Sequence, residues 1–192
     1  WFPGHKLLRE SYQTLIEQIN KKDDLGIIIK PKNPKNLEIR LGKDIYNELI
    51  TVINKGKCIL LIGEKRNIPV SLAALASDLC IHGHALAGTA GLEAALVGCR
   101  TIMLNREQVP IPEYLSPIEK NIIFSNLDDT MDGVTEYLEN SRKDNNFGNW
   151  TDIIDTLDPF RDGKAAYRIG SYINWLIEGY EQGLGKEIIM AD

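Results

Sequence analysis

With 192 residues, 43% of them hydrophobic and 26% charged, the chain has the composition of an ordinary globular protein, which speaks against disorder. A formal charge of −5 argues against a nucleic-acid partner held through its backbone, because displacing phosphate counterions needs a basic face. No apolar run approaches the ~20 residues that span a bilayer and no apolar signal core opens the chain, so the expected site of action is cytoplasmic.

Taken in chain order, the opening Trp1-Phe2-Pro3-Gly4 reads as a loop, and the chain stops at Asp192 within a helical pattern. The expected whole is therefore a longer protein. Residues 7–20 carry Leu8, Tyr12, Leu15, Ile16 and Ile19 at helical spacing, and the β-branched run 26–30 that follows, bounded by Pro31, predicts a strand. The same helix-then-strand order returns at 44–54 with 58–62, and at 69–77 with 79–81. A fourth unit places a helix over 91–97, ended by Gly98, before a strand at 101–104; residues 122–124 make a fifth strand. Strands apolar throughout and separated by single helices predict a Rossmann-like α/β fold, a parallel sheet with helices on both faces.

The proline-rich stretch 109–120 reads as an irregular loop, 127–140 as a helix, and the polar segment 141–149 as exposed and mobile. Asp162-Gly163 precedes a long amphipathic helix, with Asp162 as its cap. The expected organisation is one nucleotide-binding domain over 1–192 with a helical segment at 163–192. Cys58, Cys80 and Cys99 form no C-x-x-C pair and lie in or beside apolar strands, which predicts buried, reduced thiols.

Ligands of open parallel sheets bind beyond the carboxyl ends of the strands. Those positions hold Lys30 and Lys32 after the first strand, then Glu64, Lys65 and Arg66, then His82 and His84, then Asn105, Arg106 and Glu107. The glycine-bracketed turn Gly88-Thr89-Ala90-Gly91 opens the fourth helix, where unpaired N–H groups and the helix dipole favour a phosphate. Glu93, one turn inside, is either a dipole-matched structural residue or an acceptor for ribose hydroxyls. The glycine turn has its own alternative, which is to let a helix pack closely on the sheet. Lys30 and Lys32 can equally be solvated strand ends. His82-Gly83-His84 lacks the acidic partners of a metal site, so no metal is expected.

The run Ala76-Ser77-Asp78-Leu79-Cys80-Ile81, with Gly88-Thr89-Ala90-Gly91-Leu92-Glu93-Ala94-Ala95 and Gly98-Cys99-Arg100-Thr101-Ile102, resembles the C-terminal, donor-binding domain of GT-B glycosyltransferases. Within that group it is most similar to bacterial surface-polysaccharide enzymes and polyglycerolphosphate transferases, whose C-terminal segment Asp162-Gly163-Lys164-Ala165 with Arg168-Ile169 resembles as well. The resemblance implies one half of a two-domain architecture, with the acceptor domain absent from this chain. It implies a nucleotide-activated sugar, or related unit, as donor; a glycan or lipid-linked acceptor bound through the other half; no cofactor; and a protein cytoplasmic or peripheral to the inner face of the membrane.

By position, Glu93 matches the ribose-binding acid of that family, Gly88, Thr89 and Ala90 the turn facing the donor phosphates, and His84 a residue set against the donor. Lys30, Lys32, Lys65 and Arg66 would neutralise the leaving phosphate. Ala85 stands where retaining members commonly carry a second glutamate, which weakens a retaining outcome, and no catalytic residue is assigned. A non-hydrolysing nucleotide-sugar epimerase half and a non-catalytic scaffold or regulatory domain are the alternatives.

Overall fold

The computed structural model describes residues 5–32, 34–62, 68–85, 89–140 and 146–190. The chain divides into two compact units, Trp1–Ile154 and Asp155–Asp192.

The first unit begins with helix α1 (His5–Lys21), which buries Tyr12, Ile16 and Ile19 on one face, as the helical spacing requires. Strand β1 (Ile27–Ile29) follows, then a 3-10 turn at Pro34–Asn36 and the short helix α2 (Leu37–Leu41). Gly42, at φ 79°, turns the chain directly into α3 (Lys43–Asn54), whose Ile45, Leu49 and Val52 complete an apolar core with α1, α2 and Cys58 of β2 (Cys58–Leu60). The sequence periodicity gives α1, α3 and both strands. It does not give α2, because five residues between a proline and a glycine carry too little pattern.

Helix α4 (Val70–Leu75), strand β3 (Leu79–His82), helix α5 (Thr89–Leu96) and strand β4 (Arg100–Leu104) repeat the alternation. The stretch expected to be an irregular loop contains a 3-10 turn, Glu113–Leu115, and helix α6 (Glu119–Ile122). Ile122 therefore ends a helix, and β5 is only Ile123–Phe124. Helix α7 (Leu127–Glu139) is well specified: the Asn126 side chain accepts from the Asp129 N–H at 2.8 Å, and Asp128 and Asp129 oppose the helix dipole. Helix α8 (Thr151–Leu157) was not expected.

All pairings are parallel, but among the described residues the strands form two sheets, β1-β2 and β3-β4-β5, where one was expected. Residues of β1 and β3 line a common cavity of about 430 Å³, with Leu15, Ile28, Ile59, Leu79, Met131 and Val134 among its walls. Cover on both faces also fails at β2, where Cys58 is buried against the helices while Ile59, on the opposite face, is exposed.

The segment expected to be exposed and mobile is a second correction. Residues 141–145 lie outside the described residues, but Phe147 and Gly148 are buried, as is Trp150 just beyond the segment. Phe147 packs on Tyr137 (ring centroids 5.3 Å apart) and Phe124 (5.6 Å), in one core with Ile102. Gly148 accepts from the Thr101 N–H at 2.9 Å, and the Trp150 indole N–H donates to the Thr101 carbonyl at 2.8 Å. Aromatics in a polar stretch outweigh its average polarity once they reach a core.

The second unit contains α9 (Ala165–Glu181) and α10 (Lys186–Ile189). Lys164, not Asp162, stands at the N-cap of α9; Asp162 instead accepts from the Lys164 N–H at 3.0 Å and binds the Arg168 guanidinium through both oxygens at 3.1 and 2.6 Å. Arg168 lies over the Phe160 ring at 3.7 Å. Ile189 of α10 seats against Gly179, where a Cβ would stand only 2.8 Å from its Cγ1. No described helix is long and apolar enough to cross a membrane.

Candidate functional site

A second cavity, about 160 Å³, opens where the carboxyl end of β1 and the length of β3 meet α4 and the start of α5. Ile28 and Lys30 line it from β1, Ala73 and Ala74 from α4, His82 from β3 and Ala90 from α5. Lys30 immediately follows β1 and His82 closes β3, and both line this cavity although their strands belong to different sheets. Among the described residues Lys30 has no ion-pair partner, and Ala90, in the first turn of α5, lines the same cavity. A lysine and the first turn of a helix lining one cavity are an arrangement suited to an anion.

Glu93 has a structural partner. Its Oε1 accepts from the Ser71 N–H at 3.0 Å. Ser71 is in the first turn of α4, and the N-cap of that helix is Pro69, which has no side-chain acceptor to offer. Glu93 therefore supplies from α5 the cap that α4 lacks, and fixes the two helix starts beside each other. Sequence reasoning did not single out Ser71, although a proline N-cap signals an amide in need of an outside acceptor.

Gly91 serves close packing: a Cβ there would stand 2.7 Å from Met103 Cε and 3.2 Å from His82 Cβ. That is the alternative reading of the glycine turn, met at one of its two glycines. Gly88 lies outside the described residues, as do Lys65 and Arg66. Thr89 is exposed as the first residue of α5, and Lys32 is exposed and does not line the cavity.

His84 is buried away from this cavity, with Nε2 2.8 Å from Glu107 Oε2. Around it, the residues after β4 are tied to the protein itself. Asn105 clasps Val109 through a reciprocal pair at 2.9 and 3.0 Å. Arg106 donates to the Leu7 carbonyl at 3.0 Å and pairs with Glu10, anchoring α1. The expected rim of cations is thus narrower than the sequence implied, because the one after β4 is consumed in holding α1. No group of three or more metal-binding side chains occurs among the described residues.

Of the three thiols expected to be buried, Cys58 is buried while Cys80 and Cys99 are half-buried. Burial pushes Cys58 and Cys80 up to about 11, and raises Cys99 as well. Compared with family models, with curated proteins and with solved structures, the chain matches none.

Proposed function

We propose that this chain is the donor-binding half of a GT-B-type glycosyltransferase, moving a sugar or related unit from a nucleotide-activated donor to a surface glycan. The observation that carries the reading is the cavity at the strand ends, where Lys30 and the first turn of α5 converge. Departure of a nucleotide leaves negative charge on its phosphate, and a fixed ammonium with oriented amides stabilises charge that develops as the bond to the sugar breaks. Lys30 is assigned to that phosphate. Glu93 is assigned to the nucleoside: a carboxylate has two oxygens, so holding the Ser71 amide at Oε1 is compatible with accepting from a ribose hydroxyl at Oε2.

The same Glu93–Ser71 bond supports a second reading, a scaffold domain in which the carboxylate is only a cap. Calorimetric titration with the mono- and diphosphates of uridine, cytidine, guanosine and adenosine separates the two. The transferase reading expects one base to bind selectively, with Lys30→Ala weakening it at least tenfold, about 1.4 kcal/mol. It also expects Glu93→Gln to weaken the nucleotide more than it weakens inorganic pyrophosphate. A folded chain that binds none of the eight at millimolar concentration refutes the proposal in favour of the scaffold.

A further inference from the structure

The cavity of about 430 Å³ lies within the first unit and takes walls from both sheets and from two helices: Leu15 and Gln18 of α1, Ile28 of β1, Leu79 of β3, Met131 and Val134 of α7. Packed interiors leave few voids larger than a water molecule, so a space of this size belongs to the architecture. Its α1 wall is fastened at several points. Arg106, two residues past β4, donates to the Leu7 carbonyl at 3.0 Å and pairs with Glu10. At the other end Lys22 Nζ stands 2.9 Å from Oε1 of Glu139, the last residue of α7, and Lys57 Nζ, just before β2, donates to the Ile19 and Lys22 carbonyls at 3.1 and 3.2 Å. Held from both sides, the helix keeps Leu15 and Gln18 as a wall instead of settling inward to fill the space.

The wall chemistry selects the occupant. Most of the lining is aliphatic, and both of its cations are already neutralised, Lys22 by Glu139 and Lys57 by Asp23, each at 2.9 Å. A carboxylate or phosphate would have to take a lysine from its partner, and an ion brought among aliphatic side chains without a partner is costly. The exposed carboxylate of Asp78, which also lines the cavity, repels an anion further. The Gln18 amide and the Thr135 hydroxyl are the neutral groups on the wall that can meet a polar atom of a ligand. Size narrows the class again: a cavity of about 150 Å³ takes benzene, so this one has room for two or three rings.

We propose that this cavity is a binding site for a neutral, largely apolar small molecule of two or three rings, with one or two hydrogen-bonding groups. It is a different site from the one assigned to the nucleotide phosphate. Ile28, Leu79 and Ile81 border both cavities, but neither Lys30 nor His82 lines this one.

Two fluorescent probes of one skeleton test it. N-phenyl-1-naphthylamine is neutral with a single N–H and brightens on leaving water; 1-anilinonaphthalene-8-sulfonate adds a sulfonate to the same rings. Titrating the whole chain into each, the neutral probe is expected to bind with a dissociation constant of about 100 µM or tighter, and the sulfonate at least ~tenfold more weakly. Leu15→Trp fills the cavity from α1 and weakens the neutral probe at least ~tenfold, with circular dichroism and the urea midpoint reporting that the chain still folds. Ile59→Trp does the same from a wall that is 57% exposed, so the larger ring enters without repacking a core. Ile173→Asp, on the exposed apolar surface of α9 in the second unit, leaves the binding unchanged. A folded chain that brightens neither probe, or a signal that neither cavity substitution weakens, overturns the proposal. So does a signal that Ile173→Asp removes, which would place the probe on α9, or a sulfonate that binds as tightly as its neutral counterpart.

Discussion

Gly148→Ala measures directly how firmly the segment after α7 is built into the sheet. Gly148 has φ 63°, and a Cβ placed on it would stand 3.0 Å from the Thr101 amide nitrogen and 3.4 Å from the Arg100 carbonyl carbon. Both are backbone atoms of β4, the central strand of its sheet, so neither can give way cheaply. The left-handed conformation costs about 1–2 kcal/mol for a residue with a Cβ. Crowding a packed backbone adds about 1–3 kcal/mol, and the lower entropy of the unfolded alanine chain returns about 0.4–1 kcal/mol. The net expectation is a loss of about 2–4 kcal/mol. Gly98→Ala supplies the reference: its φ is 87°, but nothing lies within 4 Å of its Cβ position, so it carries the conformational part alone. Urea denaturation followed by circular dichroism reads both as shifts of midpoint at constant slope. If Gly148→Ala loses no more stability than Gly98→Ala, the packing of 147–150 on β4 is refuted.

Three further outcomes are expected. At pH 8 Cys58 and Cys80 of the native protein react slowly with Ellman's reagent, since raising a thiol from 9.0 to about 11 cuts its thiolate about a hundredfold, whereas all three cysteines react at once in guanidinium; a fast native phase for Cys58 or Cys80 contradicts those raised values. Asp162 titrates below its usual 3.8, held down first by the Arg168 side chain and then by the Lys164 amide. A lowered folded-state value means this pairing favours the folded state above about pH 4 and is lost as pH falls through that value, so the Asp162 carboxyl resonance should move at a lower pH than in Arg168→Gln. Glu93→Ala should cost about 1 kcal/mol by stripping α4 of its cap. It should also speed hydrogen exchange at the Ser71 amide, while Glu93→Gln, which keeps an acceptor oxygen, should not.

Those elements that show period in the sequence are where the structure has them. The apolar spacing of Tyr12, Ile16 and Ile19 and of Ile45, Leu49 and Val52 sets α1 and α3, and the apolar runs 26–30 and 58–62 contain β1 and β2, which pair in parallel. What escaped has a physical cause in each case. Helix α2 and the 3-10 turns are too short to show a period. Phe147 and Trp150 sit among polar residues, so only their long-range partners, Tyr137 and the Thr101 carbonyl, reveal them as core. Which strands pair is a long-range matter that no local window contains, so the division into two sheets escaped it.

The site divides in the same way. Of the residues that position after a strand singled out, Lys30 and His82 line one cavity. Position could not say which polar side chains are consumed by the fold. Arg106 and His84 stand at strand ends as well, yet one anchors α1 through Leu7 and Glu10 and the other is buried on Glu107. Glu93 is the instructive case, because its bond to Ser71 satisfies the structural reading without excluding the ligand one. A carboxylate that must fix two helix starts is held in one place before any nucleotide arrives, and such preorganisation is what a ribose acceptor needs. Removing the charge but keeping the acceptor at Glu93 is thus the substitution that tells a cap from a binding residue: stability stays near wild type in both cases, and only the nucleotide affinity differs.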